Sequence, residues 1–282
     1  MEAVTELGKV RRAVELPPAA MAIYEQGEVA KFLATLSADG VPNVALIVSQ
    51  IPVEPGRVAF GEFMMVKTKE NLEADPRVAS FAITEKLEMA GFKGDFTGWT
   101  EGGPYEALIN SIPFFRYNAY MGIRNVAVLD VREILHLPEK VSMLKAGLEF
   151  ASMRTRGRVG RGEAVGGVQV PGPVRDKFDG IMSIKVLAWR DSDGYPGIAP
   201  LFGVMFRTPG ELRFRISDYN RALEAMSPGS RVALNVLTLD LLTYQAKGTL
   251  VRFDRSPGMK VGVVRIEEVY SSMPPLVAQR LA

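Results

Sequence analysis

The chain alternates short apolar runs with turn signals, which is the pattern of strands rather than of long helices. Phe32 to Leu36 is an apolar run closed by Ala38-Asp39-Gly40, and Asp-Gly supplies the positive φ that a tight hairpin needs. Val44 to Val48 reads as a second, near-continuous apolar strand. Pro55-Gly56 marks the next turn and Arg57 to Gly61 the third strand. The period then changes. Thr68 to Ala74 reads as a short helix with Thr68 as its N-cap, stopped by Asp75-Pro76. Val78 to Ile83, Gly91 to Phe96 and Val126 to Ile134 are further strands, and Lys140 to Met153 has the periodicity of an amphipathic helix.

The same pattern then recurs. The run KFLATLSADGVPNVALIVSQIPVEPGRVAF starts at Lys31, and KVLAWRDSDGYPGIAPLFGVMFRTPGELRF starts at Lys185, an offset of 154 without a gap. Ten of the thirty positions are identical, among them Asp39/Asp193, Gly40/Gly194 and Pro42/Pro196. The offset holds again at Arg77-Val78-Ala79 against Arg231-Val232-Ala233 and at Lys93-Gly94 against Lys247-Gly248. A unit this long is a duplicated domain, not a solenoid repeat. The expected division is a first domain over 1–153, a Gly/Arg-rich linker over 154–177 and a second domain over 178–282. Between Gly98 and Val126 the first copy carries an aromatic-rich insert (Trp99, Tyr105, Phe114, Phe115, Tyr117, Tyr120), read as a cap on the strands or as one wall of a pocket.

Composition narrows the chemistry. With no Cys and one His (His136), thiolate catalysis, disulfides and the usual zinc ligand sets are excluded. No nucleophile elbow, P-loop or clustered acidic motif is present, so no metal site is expected and no catalytic side chain is named. The balance of 34 Lys+Arg against 32 Asp+Glu argues against a dedicated nucleic-acid or membrane-surface protein. Arg154, Arg156, Arg158 and Arg161 offer phosphate contacts, but in a chain this close to neutral a solvated loop is the favoured reading. The N-terminal run lacks the pattern of a signal peptide, and a cytoplasmic address is the expectation. What remains is a cofactor that brings its own reactivity.

One segment is suited to hold such a cofactor. Phe60-Gly61-Glu62-Phe63-Met64-Met65-Val66-Lys67-Thr68 runs from a strand end into a helix start. Lys67 and Lys69 supply positive charge, Thr68 a hydroxyl, and the helix N-terminus unpaired N–H groups, which together suit a phosphate. The same residues also fit an ordinary capped helix with solvated lysines.

In order and spacing, the stretch from about Val29 to Phe96 resembles the pyridoxamine-5'-phosphate-oxidase-like, FMN-binding split-barrel superfamily. The residues that carry the resemblance are Asp39, Gly40, Pro42, Lys67, Thr68, Asn71, Leu72, Pro76, Arg77 and Val78. It implies a mainly β fold with a few helices, arranged here as two tandem split β-barrels. It implies FMN at a barrel–barrel interface, with Asn43, Val44, Ala45 and Leu46 along the ring edge and Phe60, Gly61, Phe63 and Met64 beside the ring. Lys67 and Thr68 would hold the phosphate, with Asn71 securing the turn. Val66 and Thr68 stand where many members carry a Ser/Arg-x-Lys variant. The implied activity is electron or hydride transfer between the flavin and a small-molecule substrate, in a pseudo-dimer within one chain, with a homodimer left open. The alternative is a non-catalytic module on the same barrel, its pocket empty or holding haem or a deazaflavin. In the second copy Asp218 falls close to the place of Lys67, Arg221 lies nearby, and Trp189 and Tyr219 are candidate ring contacts. At most one phosphate site per chain is therefore expected.

Overall fold

The structure is a computed structural model that describes residues 14–63, 65–112, 123, 125–135, 140–156, 163–256, 258–272 and 279–282. Met64, His136, Arg158, Arg161 and most aromatics of the insert lie outside the described residues.

The strands of the first half are β1 (Ala30–Leu36), β2 (Pro42–Leu46), β3 (Ile51–Glu54), β4 (Arg57–Gly61), β5 (Arg77–Ile83), β6 (Met89–Thr100) and β7 (Val126–Ile134). Those of the second half are β8 (Ile184–Arg190), β9 (Pro196–Pro200), β10 (Val204–Thr208), β11 (Glu211–Ile216), β12 (Arg231–Leu237), β13 (Thr243–Ser256) and β14 (Met259–Ser271). The helices are α1 (Pro18–Glu25), α2 (Lys67–Ala74), α3 (Gly103–Ser111), α4 (Met143–Arg156) and α5 (Gly172–Phe178), with a 3₁₀ turn at Arg221–Ala225. The fold is mainly β.

Two antiparallel seven-stranded sheets form, in the orders β2-β1-β5-β6-β7-β4-β3 and β9-β8-β12-β13-β14-β11-β10. Strand for strand the orders are the same. The edge strands β2 and β3 follow one another in the chain, as do β9 and β10. Each sheet therefore curls around its own core without pairing its edges, the shape of a split barrel. The register agrees to the residue: Leu33 faces Ala45 as Leu187 faces Ala199, and Ala34 faces Ala79 as Ala188 faces Ala233. Even the bulges coincide, at Lys93/Gly94 and Phe96/Gly98 in one sheet and at Lys247/Gly248 and Leu250/Arg252 in the other.

The correspondence begins earlier than the sequence match. Leu16 N–H donates to Pro55 C=O, and Val170 N–H donates to Pro209 C=O. Pro17 and Pro171 precede α1 and α5, whose Tyr24 and Phe178 are fully buried in the two cores. Residues from Val168 on thus belong to the second unit, within the stretch read as linker.

β1 and β5 are buried on both faces, which explains their near-continuous apolar runs. Leu33, Val78 and Ala82 face the first core, while Phe32, Ala34, Ala79 and Phe81 face outward into a third cluster. The second half supplies Val186, Ala188, Ile198, Ala233 and Leu237 to that same cluster, and keeps Leu187, Trp189, Val232 and Leu234 for its own core. The molecule therefore has three apolar layers, with the middle one joining the sheets. At a polar edge of the junction, Lys93 Nζ donates to Asp191 at 2.8 Å and Asp193 at 2.7 Å, and Tyr195 OH donates to Asp95 at 2.8 Å.

Candidate functional site

The segment chosen from sequence lies where the two units meet. β2 is an edge strand, and β12 and β13 of the other unit pass beside it. Alternate residues of β13 and β14 share one face: Gln245 and Lys247 on β13, with Tyr270 and Glu268 directly opposite them on β14. Gln245 Nε2 donates to the Val44 carbonyl at 2.7 Å, and Asn235 Nδ2 donates to it at 3.4 Å. The Val44 oxygen is thus engaged by the second unit. Gln245 Oε1 is buried and has no partner.

Lys67 opens α2. Its Nζ sits 3.1 Å from the ring centroid of Tyr270, over the face of the ring. The Tyr270 hydroxyl donates to Glu268 at 2.8 Å. Lys67, Lys247, Arg231 and Arg280 share this region, with Glu268 as the acid that offsets them. Burial pushes the Lys67 ammonium below its usual range, and Arg280 adds to the fall. Burial takes Lys247 further, down to about 8, with Lys67 and Arg231 contributing. Cations that depress one another mark a place where an anion would be stabilised.

Thr68 is not a helix cap. Val66 occupies the N-cap position, without a side-chain capping bond, and Thr68 is buried inside the first turn. Its Oγ1 is 3.4 Å from Nδ2 of Asn43, which ties α2 to β2. Asn71 donates through Nδ2 to Thr35 Oγ1 at 2.9 Å and ties the same helix to β1. The N-terminus of α2 is thus fixed against two strands, with Lys67 alone turned toward the other unit. Lys69 is taken up by Glu62 at 2.7 Å, which raises its pKa.

The ring-edge residues divide. Ala45 and Leu46 are half-buried, while Asn43 and Val44 are buried. Phe60 is fully buried, edge-on to Trp99 at 6.4 Å, so only its backbone is available to a ligand. A Cβ on Gly61 would stand 2.6 Å from Ile123, so the glycine serves packing there. Phe63 is exposed.

In the second unit the sequence placement needs correcting. The offset of 154 holds unbroken on both sides of the segment, because β4 and β11 agree and β5 and β12 agree. Arg221, not Asp218, therefore stands in the place of Lys67, each as first residue of its helical turn. Arg221 is exposed and paired with Asp218. Trp189 belongs to the second core, packed over Gly197, and Tyr219 lies edge-on to Phe202 at 5.7 Å.

Tyr270, Lys247 and Gln245 were missed from sequence. Lys247 had been matched to Lys93 as a repeat position, but the two diverge in surroundings: Lys93 is paired to two carboxylates and Lys247 faces cations. Among the described residues no group of three potential metal ligands occurs, and no helix is long and apolar enough to cross a membrane.

No family model matches the chain, and no curated protein does. Among solved structures it is similar to a putative pyridoxamine 5'-phosphate oxidase from Lactobacillus delbrueckii, at 18% identity over 43% of this chain and 93% of that one, TM-score 0.35. It is similar to an FMN-binding protein from Syntrophomonas wolfei, at 14% identity over 42% and 82%, TM-score 0.35. It is also similar to the haem storage protein HutZ from Vibrio cholerae, at 16% identity over 43% and 91%, TM-score 0.32. Each match spans less than half of this chain and most of the other.

Proposed function

We propose that the chain arose by duplication of one split-barrel domain and binds a flavin, FMN, at the junction of its two units. The observation that carries this reading is the pairing of Lys67, from the first unit, with Tyr270 and Lys247, from the second. A phosphate there would relieve the mutual repulsion of the lysines, and each charge-assisted bond would contribute roughly 1.5–3 kcal/mol. The unpartnered Gln245 Oε1, beside β2, is an acceptor that a ring N–H would complete. The residues present therefore fit both ends of the group.

Bound there, a flavin supplies hydride or electron transfer to a small-molecule substrate. The chain's own part is positional. α2 is anchored by Asn43 and Asn71 so that Lys67 is held in place, and the apolar layer between the sheets keeps water from the adjoining face. No titratable side chain is assigned a proton.

The test is the visible spectrum of purified protein with and without added FMN, followed by reduction with a nicotinamide donor. A flavin spectrum that bleaches on reduction supports the reading. Colourless protein that takes up no FMN refutes it.

A second reading is favoured by one observation. The Val44 carbonyl, which the resemblance assigns to the ring edge, already accepts two hydrogen bonds from the second unit. A non-catalytic module that holds haem makes no demand on that oxygen. It predicts ligand binding without turnover.

A further inference from the structure

A cavity of about 560 Å³ lies on the second unit, between α4 and the segment Arg215–Tyr219, well within the size of small-molecule sites. α4 is an exposed helix with two buried residues, Glu149 and Met153. Met153 anchors it among Met205, Met259 and Val261. The helix comes this close because Gly203 has no side chain: a Cβ there would stand 2.8 Å from Met153 and 3.2 Å from the Glu149 carbonyl.

Glu149 is then an expensive choice. It is only 7% exposed, and its Oε2 has no partner. A leucine in its place would avoid the cost of burying that oxygen. Across the cavity Arg215 donates through NH1 to Ser152 Oγ at 2.6 Å, but its Nε is buried and also unpartnered. Glu149 and Arg215, which carry the orphan acceptor and the orphan donor, thus line one cavity together with Ser217.

Around them, charge favours an anion. Arg221 pairs with Asp218 and Lys260 with Glu224, which leaves Lys145 and Arg215 facing Glu149. Burial holds the Glu149 carboxyl above the usual range, with Ser217 and Arg215 opposing the shift. Leu148, Ile216 and Tyr219 add an apolar wall.

We propose that this cavity is a binding site for a small aromatic phosphate monoester, held through its P–OH on Glu149, its phosphoryl oxygens on Arg215 and Lys145, and its ring against Leu148 and Tyr219. A monoprotonated phosphate presents a donor and acceptors side by side, which is what the two orphan atoms require. A sulfate ester has the acceptors and lacks the donor. The site is separate from the junction between the sheets and does not rest on the flavin reading.

The test is calorimetric titration of the full chain carrying Lys67→Ala, so that the junction does not contribute, with phenyl phosphate and phenyl sulfate at pH 6. Phenyl phosphate binds saturably, and phenyl sulfate binds about tenfold more weakly because a buried acceptor is left unmet. Glu149→Gln, whose amide can donate, narrows that preference to about threefold or less, and the exposed Lys145→Ala weakens both ligands. Absence of saturable phenyl phosphate binding overturns the proposal. So does binding that both substitutions leave unchanged, or an unaltered preference in Glu149→Gln.

Discussion

The ammonium of Lys67 lies 3.1 Å from the ring centroid of Tyr270, although one residue belongs to the first unit and the other to the second. One residue opens a helix in the first unit and the other closes the long last strand of the second. The contact makes the start of α2 a structure shared by both units, and replacing either partner reads out at the same place. Lys67→Ala removes a charge and is expected to weaken phosphate or FMN binding by about 10- to 100-fold. Tyr270→Leu keeps bulk but removes the aromatic face, and a loss of about threefold is expected. Fluorescence titration of FMN against the three proteins checks the order.

Lys247 sets a pH dependence for the same site. Its pKa, lowered to about 8, means that an anion binding beside it must hold the lysine protonated. Below pH 8 the proton is already there and affinity is flat. Above pH 8 a proton has to be taken up with the ligand, and affinity falls by up to about tenfold per pH unit. Calorimetry in buffers of different ionisation enthalpy reads the proton uptake, and Lys247→Met removes the dependence.

Stability should also respond to pH. Lys31, Lys185 and Lys247 are all buried with pKa values lowered to about 8, from 10.5. Between these values the unfolded chain binds more protons than the folded one, so stability rises with pH over that window. Tyr24 and Tyr270, both pushed upward by burial, reverse the trend above about pH 10, where the unfolded chain loses phenolic protons first. Urea unfolding midpoints should therefore rise from pH 7.5 to pH 9.5 and turn over only near pH 10.5, where the unfolded lysines have given up their protons.

How far the sequence was readable depends on what each element needed. The hairpin at Asp39-Gly40 was legible because the turn demands a left-handed residue, and Gly40 has φ +71° as Gly194 has +86°. The recurrence of the pattern was legible because both sheets repeat the same strands in the same order and register. β3 was not, since Ile51–Glu54 contains a proline and is only partly buried at an edge. Thr68 was misread as a cap because Thr before an acidic turn is the usual signal, while here its hydroxyl meets Asn43, 25 positions earlier. Tyr270 and Lys247 could not be placed, because nothing local in β13 or β14 marks which face meets the other unit. Asp218 was put in the place of Lys67 for want of the register that β11 and β12 supply.

The paired bulges give a backbone prediction. A Cβ on Gly248 would lie 2.1 Å from the Arg265 carbonyl oxygen, and one on Gly94 would lie 2.6 Å from the Asp130 carbonyl oxygen. Both obstacles are backbone and cannot swing aside. Gly248→Ala is expected to cost roughly 2–4 kcal/mol, with Gly94→Ala somewhat milder, read as shifts in the unfolding midpoint.

Lys93 tests the junction. Buried between Asp191 and Asp193, it keeps a raised pKa, unlike its repeat partner Lys247. Asp193→Asn alone is expected to cost about 1 kcal/mol, because Asp191 still compensates. The double change with Asp191→Asn leaves a buried ammonium unpaired and costs about 3–5 kcal/mol. A sum of two small effects would show that the pairs act independently.

Whether one flavin site is assembled from both units is read from the stoichiometry and affinity of FMN binding in the intact chain, in Lys67→Ala and in Lys247→Met. The account predicts one FMN per chain, with affinity reduced by at least about tenfold in each variant. FMN bound with equal affinity by all three proteins, or by none, would contradict it.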